Sequence, residues 1–122
     1  MGEVTVRAAR GAIHVSEDAA DVILSATERL LSALLERNGV DRDGIVSAFF
    51  TVTDDLRSAF PAEAARRMGL GRVPLLCAQE IPVVGSLPMV IRILVHFHTA
   101  RTADEVVHVY LDGAESLRDD LG

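Results

Sequence analysis

Two spacings of apolar residues alternate along this chain, one of two positions and one close to 3.6. "EVTVRAARGA" near the N-terminus alternates briefly and predicts a first strand ending near Gly11. In "SEDAADVILSATERLLSALLERNG" the period lengthens, and Val22, Ile23, Ala26, Leu30, Leu31, Leu34 and Leu35 form one stripe of a helix. Ser16 stands where it can cap the first turn, Glu17 and Asp18 lie where the helix dipole favours anions, and Asn38-Gly39 supplies the stop. "GIVSAFFTVT", rich in β-branched and aromatic residues, predicts a second strand. "DDLRSAFPAEAARRMGLG" predicts a short helix with Pro61 in its opening turn and Gly69 just past its end. "RVPLLCAQE" reads as a third strand, "IPVVGSLP" as a loop and "MVIRILVHFHT" as a fourth strand. Thr102 and Glu105 in "TADEVVHVYLDGA" have capping-box spacing and predict another helix; "ESLRDDLG" closes the chain as a short strand or a tail.

The order β-α-β-α-β-β-α-(β) predicts a single α+β domain over residues 1–122, with helices on one side of a mixed sheet. One long helix leaves the opposite sheet face uncovered. With this much apolar sequence, burial against other copies of the chain is the expected solution, so a homo-oligomer is predicted.

Composition narrows the functions open to such a fold. At 122 residues and 49% apolar content the chain can bury a modest core, built from aliphatic residues because aromatics are scarce. A net charge of -6, from 18 acids and 12 bases, argues against a nucleic-acid surface, although a few converging arginines can still hold an anion. A single cysteine excludes an intrachain disulfide and suits a reducing, cytoplasmic setting. No stretch reads as a secretory signal or a membrane span, and Val6 stands where a myristoylation signal has Ser or Thr.

The candidate chemistry centres on "MVIRILVHF". Alternation places Arg92, Leu94, His96 and His98 on one face of the strand, and Ile91, Ile93, Val95 and Phe97 on the other. A guanidinium on such a strand is either half of a structural ion pair or a fork of donors for an anion such as a carboxylate. Glu80 ends the third strand three residues after Cys77, so a regular strand turns the two to opposite faces; alone, Glu80 reads as a solvated terminus and Cys77 as a small core residue. His96 and His98 lack a partner carboxylate or thiolate at ligand spacing, so no metal site is expected, and His14 and His108 read as surface or interface residues. There is no glycine-rich phosphate loop, and nothing resembles a nucleophile with its general base.

Taken together, "RGAIHVSED", "TVTDDLRSAFPAEAARRMGL", "RVPLLCAQEIPVVGSLPMVIRIL" and "VVHVYLDGAESLRDDL" resemble, in order and spacing, the monofunctional AroH-type chorismate mutases, over about positions 4 to 121. The resemblance implies a ferredoxin-like mixed sheet with helices on one side, assembled as a trimeric pseudo-α/β-barrel with a site in each cleft between subunits. It implies the rearrangement of chorismate to prephenate, on the route to phenylalanine and tyrosine, with no cofactor, nucleic acid or membrane involved. By the same resemblance, Arg92 lies beside the substrate's ether oxygen, Arg10 grips a carboxylate, and Glu80 accepts from the ring hydroxyl with Cys77 close by. Tyr110 then binds the substrate side chain, and Leu75 and Leu76 line the pocket through side chain or backbone. Phe60, Ala62 and Arg66 come from the adjacent subunit, and Leu117 and Arg118 belong to a tail, 117–122, that folds over the site. The chain departs from the family's pattern at Ala8, His14, Glu63, Leu76 and Met89, where Gly, Thr, Lys, Thr and a basic residue are common. None of these touches Arg10, Glu80, Arg92 or Tyr110. Two other readings share a trimeric scaffold: an enamine/imine deaminase with an interfacial arginine, and a binding module without catalysis.

Overall fold

The computed structural model describes residues 3–121, apart from the side chains of 119–121. The elements are β1 (Thr5–His14), α1 (Ala20–Arg37), β2 (Ile45–Val52), α2 (Ala62–Arg67), β3 (Leu75–Gln79), β4 (Val90–Thr99) and β5 (Val109–Leu111), with 3₁₀ segments at Arg42–Gly44, Ala103–Glu105 and Ala114–Leu121. They build one five-stranded sheet in the order β3-β2-β4-β1-β5. Its centre is antiparallel, β4 pairing with β1 on one side and β2 on the other, while β3 and β5 join the two edges in parallel.

Strand alternation sorts the sheet into two unlike faces. Ile13, Phe50, Ile91, Ile93, Val95 and Phe97 point to the side covered by α1, whose Ile23, Leu30, Leu31 and Leu34 are fully buried against them. Each such side chain contributes about 1.5–3 kcal/mol relative to exposure, so the stripe, not helix propensity, holds α1 on the sheet. The helix lies close because Gly11 has no side chain. A Cβ there would meet the Val109 carbonyl oxygen at 2.7 Å and Leu30 Cδ1 at 2.9 Å. The α+β architecture with helices on one side is therefore as expected, and no helix among the described residues is long and apolar enough to cross a membrane.

Four local expectations are corrected. β1 runs past Gly11 to His14, because pairing with β4 continues to Val90 and β5 adds a second partner. Ser16 does not cap α1, which starts at Ala20 with no side-chain cap. The chain before it is held elsewhere: the Asp18 carboxylate accepts the backbone N–H groups of Arg57 and Ser58 at 2.9 and 3.0 Å. The capping box at Thr102 and Glu105 forms, but it opens a single 3₁₀ turn rather than a helix. Asn38 decides this. Buried at the end of α1, it donates through Nδ2 to the Leu34 and Val107 carbonyls and accepts the Val107 N–H through Oδ1. Those bonds hold Val107 extended and lead it into β5. The last segment is neither strand nor free tail: Ala114–Leu121 forms 3₁₀ turns, and Ala114 is buried with Ala12 and Val90 beneath Leu87, Tyr110 and Leu117. The side chains of 119–121 and all of Gly122, within the expected tail, lie outside the described residues, as do Met1 and Gly2.

Apart from that second cluster, the sheet face away from α1 is open, with Val6, Phe49, Leu76 and Leu94 exposed on it. Replacing Gly11 with Ala should lower stability by about 1–3 kcal/mol through overpacking. Gly71→Ala, where nothing lies within 4 Å of the added carbon, is the matched control and should change little. Urea denaturation of both variants measures the difference.

Candidate active site

The open face carries a row of side chains across four strands. In register, Thr51 of β2 stands beside Arg92 of β4, Arg92 beside Ala12 of β1, and Ala12 beside Tyr110 of β5. The neighbouring row runs Phe49, Leu94, Arg10. Because Ala12 is small, space opens between Arg92 and Tyr110. The result is a cavity of about 270 Å³, lined by Arg10, Ala12, Phe49, Thr51, Glu80, Arg92, Leu94 and Tyr110 among others. On the other side of Arg92 and Glu80 lies a wider depression of about 620 Å³, bounded by the 81–88 loop, Asp54, Asp55 and Leu117. The two charged groups thus stand on the wall between the two spaces.

Glu80 reaches this face through ordinary strand geometry. Its backbone N–H donates to Val52 O at 2.8 Å, extending the β2–β3 ladder by one bond. Cys77 pairs in register with Phe50 and packs with Leu75 against the α1-side core. The odd spacing between Cys77 and Glu80 therefore does turn them to opposite faces. Any contact of Leu75 or Cys77 with a ligand on the open face falls to their backbone.

The electrostatics of the pair leave the cation available. Arg92 Nε is 3.9 Å from Glu80 Oε2, too long for a hydrogen bond, with the two side chains 42% and 29% exposed. Glu80 Oε2 instead accepts the Thr51 hydroxyl, which draws the carboxylate toward β2. Among the described residues, neither the Arg92 nor the Arg10 guanidinium donates a hydrogen bond. The Tyr110 hydroxyl is buried and has no partner among them either. A buried polar group left unsatisfied costs about 1–3 kcal/mol, so a hydroxyl kept in this state on a cavity wall suits a ligand.

The position of Arg92 along its strand is fixed where β4 begins. Met89, immediately before it, has φ 58°, a left-handed conformation rare for a side chain of this kind. The Asp55 carboxylate accepts the Met89 N–H at 3.1 Å, Val15 donates to Met89 O at 2.9 Å, and the Thr53 hydroxyl accepts the Val90 N–H at 3.0 Å. The segments that follow β1 and β2 thus converge on one turn and hold it.

Not every residue singled out in the sequence is brought here. Phe60 is 73% exposed in the loop before α2, and Arg66 is paired with Glu63 at 3.2 Å on the helix itself. Ala62 is buried in the core of its own chain, and Leu76 lies on the open face, outside the cavity. Leu117 borders the wider depression, and Arg118 is exposed beyond it. No group of three His, Cys, Asp or Glu suited to a metal exists among the described residues. His96 instead lies 3.4 Å from the Ser47 hydroxyl and packs edge-on against Phe49. Two contributors escaped sequence reading. Thr51 had no signal except its register with Arg92. His108, two positions before Tyr110, accepts the Arg10 backbone N–H on Nδ1 at 3.1 Å.

Two cations, one carboxylate and one unpartnered hydroxyl around a small cavity can hold a compact anion and stabilise negative charge within it. Among the described residues, no Ser, Cys, Lys or His lines this cavity. The profile of the family described as chorismate mutase type I matches residues 6–121. The chorismate mutase AroH of Thermus thermophilus is 54% identical over 117 residues, covering 95% of this chain and 96% of that protein. The chorismate mutase AroH of Bacillus subtilis (strain 168) is 37% identical over 117 residues, covering 95% and 92%. A solved structure, a chorismate mutase from Clostridium thermocellum, superposes with a TM-score of 0.89 at 46% identity, covering 90% of this chain and 98% of that one. With the profile running through every strand and both ends of the Arg10–Glu80–Arg92–Tyr110 group, the chain belongs to the chorismate mutase type I family.

Proposed function

We propose that this chain catalyses the rearrangement of chorismate to prephenate in the cavity on its open sheet face. The observation that carries this reading is a guanidinium on the central strand, Arg92, that donates no hydrogen bond among the described residues and faces a cavity with an unpartnered Tyr110 hydroxyl on its far wall.

The reaction is a concerted pericyclic shift in which one C–O bond breaks as one C–C bond forms. No proton is transferred, so a site without a general base or nucleophile suits it, and no external electron or group carrier is called for. Two physical tasks remain. A flexible dianion must be held with its side chain folded over the ring so that the bonding carbons meet. Arg10 gripping a carboxylate and Tyr110 donating to the side chain perform that task. The second task is electrostatic. Negative charge grows on the ether oxygen as its bond stretches, and a fixed cation there binds the transition state more strongly than the ground state. Arg92 supplies this cation, and its charge is permanent at any working pH. Glu80 holds the ring hydroxyl and favours the electron-poor ring.

One chain leaves the cavity open at the sheet surface. A homotrimer closes it: Phe60 and Arg66 of a neighbouring copy supply an apolar wall and a rim cation, while Leu117 and Arg118 fold over the mouth from the same chain; Ala62, buried in its own core, only holds the segment that presents Phe60. The exposed Val6, Phe49, Leu76 and Leu94 support burial of this face between copies. A single cysteine is consistent with a cytoplasmic enzyme.

Replacing Arg92 with Lys keeps a charge but removes the fork, and kcat is expected to fall on the order of 10²–10³-fold, the scale for losing one aimed donor. Near-native turnover, followed by the loss of chorismate absorbance, would falsify the electrostatic role. Because no essential proton moves, kcat should stay nearly constant from about pH 6 to 9; a steep bell in that range would point to acid–base chemistry instead. Light scattering should return three times the 13.1 kDa chain mass. A monomer would leave Phe60 and Arg66 without a site to complete.

A further inference from the structure

Arg10 has two attachments to the sheet that differ in kind. On the β4 side it stands opposite Leu94 in a ladder ten residues long. On the β5 side the parallel ladder begins only one residue later, at Gly11 and Val109. The Arg10 backbone N–H therefore faces the point where β5 has not yet started. A side chain fills the gap, since His108 Nδ1 lies 3.1 Å from that N–H.

We propose that His108 is a positioning residue for Arg10, its neutral imidazole anchoring the backbone from which the Arg10 guanidinium reaches into the cavity. The inference rests on the mutase reading above, in which Arg10 grips a substrate carboxylate. An imidazole accepts on Nδ1 only when its proton sits on Nε2; a doubly protonated ring has a donor on each nitrogen and turns an N–H toward an N–H. The anchor is therefore present in one protonation state and absent in the other.

The surroundings favour the useful state. Burial pushes the His108 imidazole below its ordinary value of 6.5, and the positive charges of Arg10 on β1 and Arg118 on the C-terminal 3₁₀ segment push it the same way. These two arginines are the charged groups that bear on it. Since the folded chain prefers the neutral ring, the anchor is complete above pH 6.5 and is lost as the pH falls through the lower folded value. Arg92 on β4 and Glu80 just past the end of β3 are not among the groups that shift it. The effect of losing the anchor belongs to substrate capture, not to the bond-breaking step, so it separates from catalysis in the kinetics.

His108→Ala should raise KM for chorismate about fivefold at pH 8, the scale of one lost hydrogen bond, with kcat within about twofold of the unmodified chain. His108→Asn offers an acceptor oxygen near the same place without a titrating group. It should rescue KM at pH 8 and lack the rise in KM expected of the unmodified chain as the pH falls below 6.5 through the lowered His108 value; an unmodified chain with no such rise overturns the anchor. Unchanged KM in His108→Ala, or the same acid-side rise in His108→Asn, overturns the role of His108 and leaves the mutase reading standing. An unmodified chain inert toward chorismate overturns that reading instead. The hydrogen bond is then judged by NMR alone: the Arg10 amide signal should titrate in step with the His108 ring, and an amide indifferent to it removes the anchor as well.

Discussion

A charge that cannot be discharged, placed on the central strand of a sheet, is the constraint around which the rest of this molecule is arranged. Burying an unpaired guanidinium costs several kcal/mol, and pairing it fully with an acid removes its field from anything else. Here neither extreme occurs. Arg92 is part-exposed, and Glu80 stands 3.9 Å away because the Thr51 hydroxyl holds the carboxylate to one side. The cation is thus stabilised at a distance and keeps its donors. Ala12, the small residue next in the row, prevents the space beside it from being filled.

The two faces of the sheet divide the labour. On one, α1 and a dense aliphatic layer make the backbone of β4 and β1 rigid. On the other, the same strands present polar groups whose spacing is then fixed by the pleat and the register. Rigidity bought on the first face is what gives the second face its geometry, which is why Gly11, buried beneath α1, matters to a site it does not chemically serve. The converging bonds at Met89 act in the same way, since a slip of one residue where β4 begins would move Arg92 to the α1 side.

Much of this was legible in the sequence. The alternation around Arg92, the stripe of α1 and the punctuation at Asn38-Gly39 are local patterns, and each matches the structure. The family resemblance supplied the grouping of Arg10, Glu80, Arg92 and Tyr110, which no periodicity could give because these residues meet only through long-range register. What stayed hidden depended on contacts distant in sequence. The capping box at Thr102 was a sound local signal overruled by Asn38, 69 residues away from Val107. Ser16 lost its expected place because Asp18 is held by the backbone of Arg57 and Ser58. His108 and Thr51 are unremarkable letters until strand pairing sets them beside Arg10 and Glu80.

The strands that flank the cavity are unequal in length. β4 is tied to β1 along ten residues, while β5 is tied to β1 along three. Thermal opening of a sheet starts where the fewest ladder bonds must break together. The Arg92 wall is therefore the stiffer and the Tyr110 wall the more compliant, which under the proposed function gives a ligand one side that grips and another that yields as it leaves.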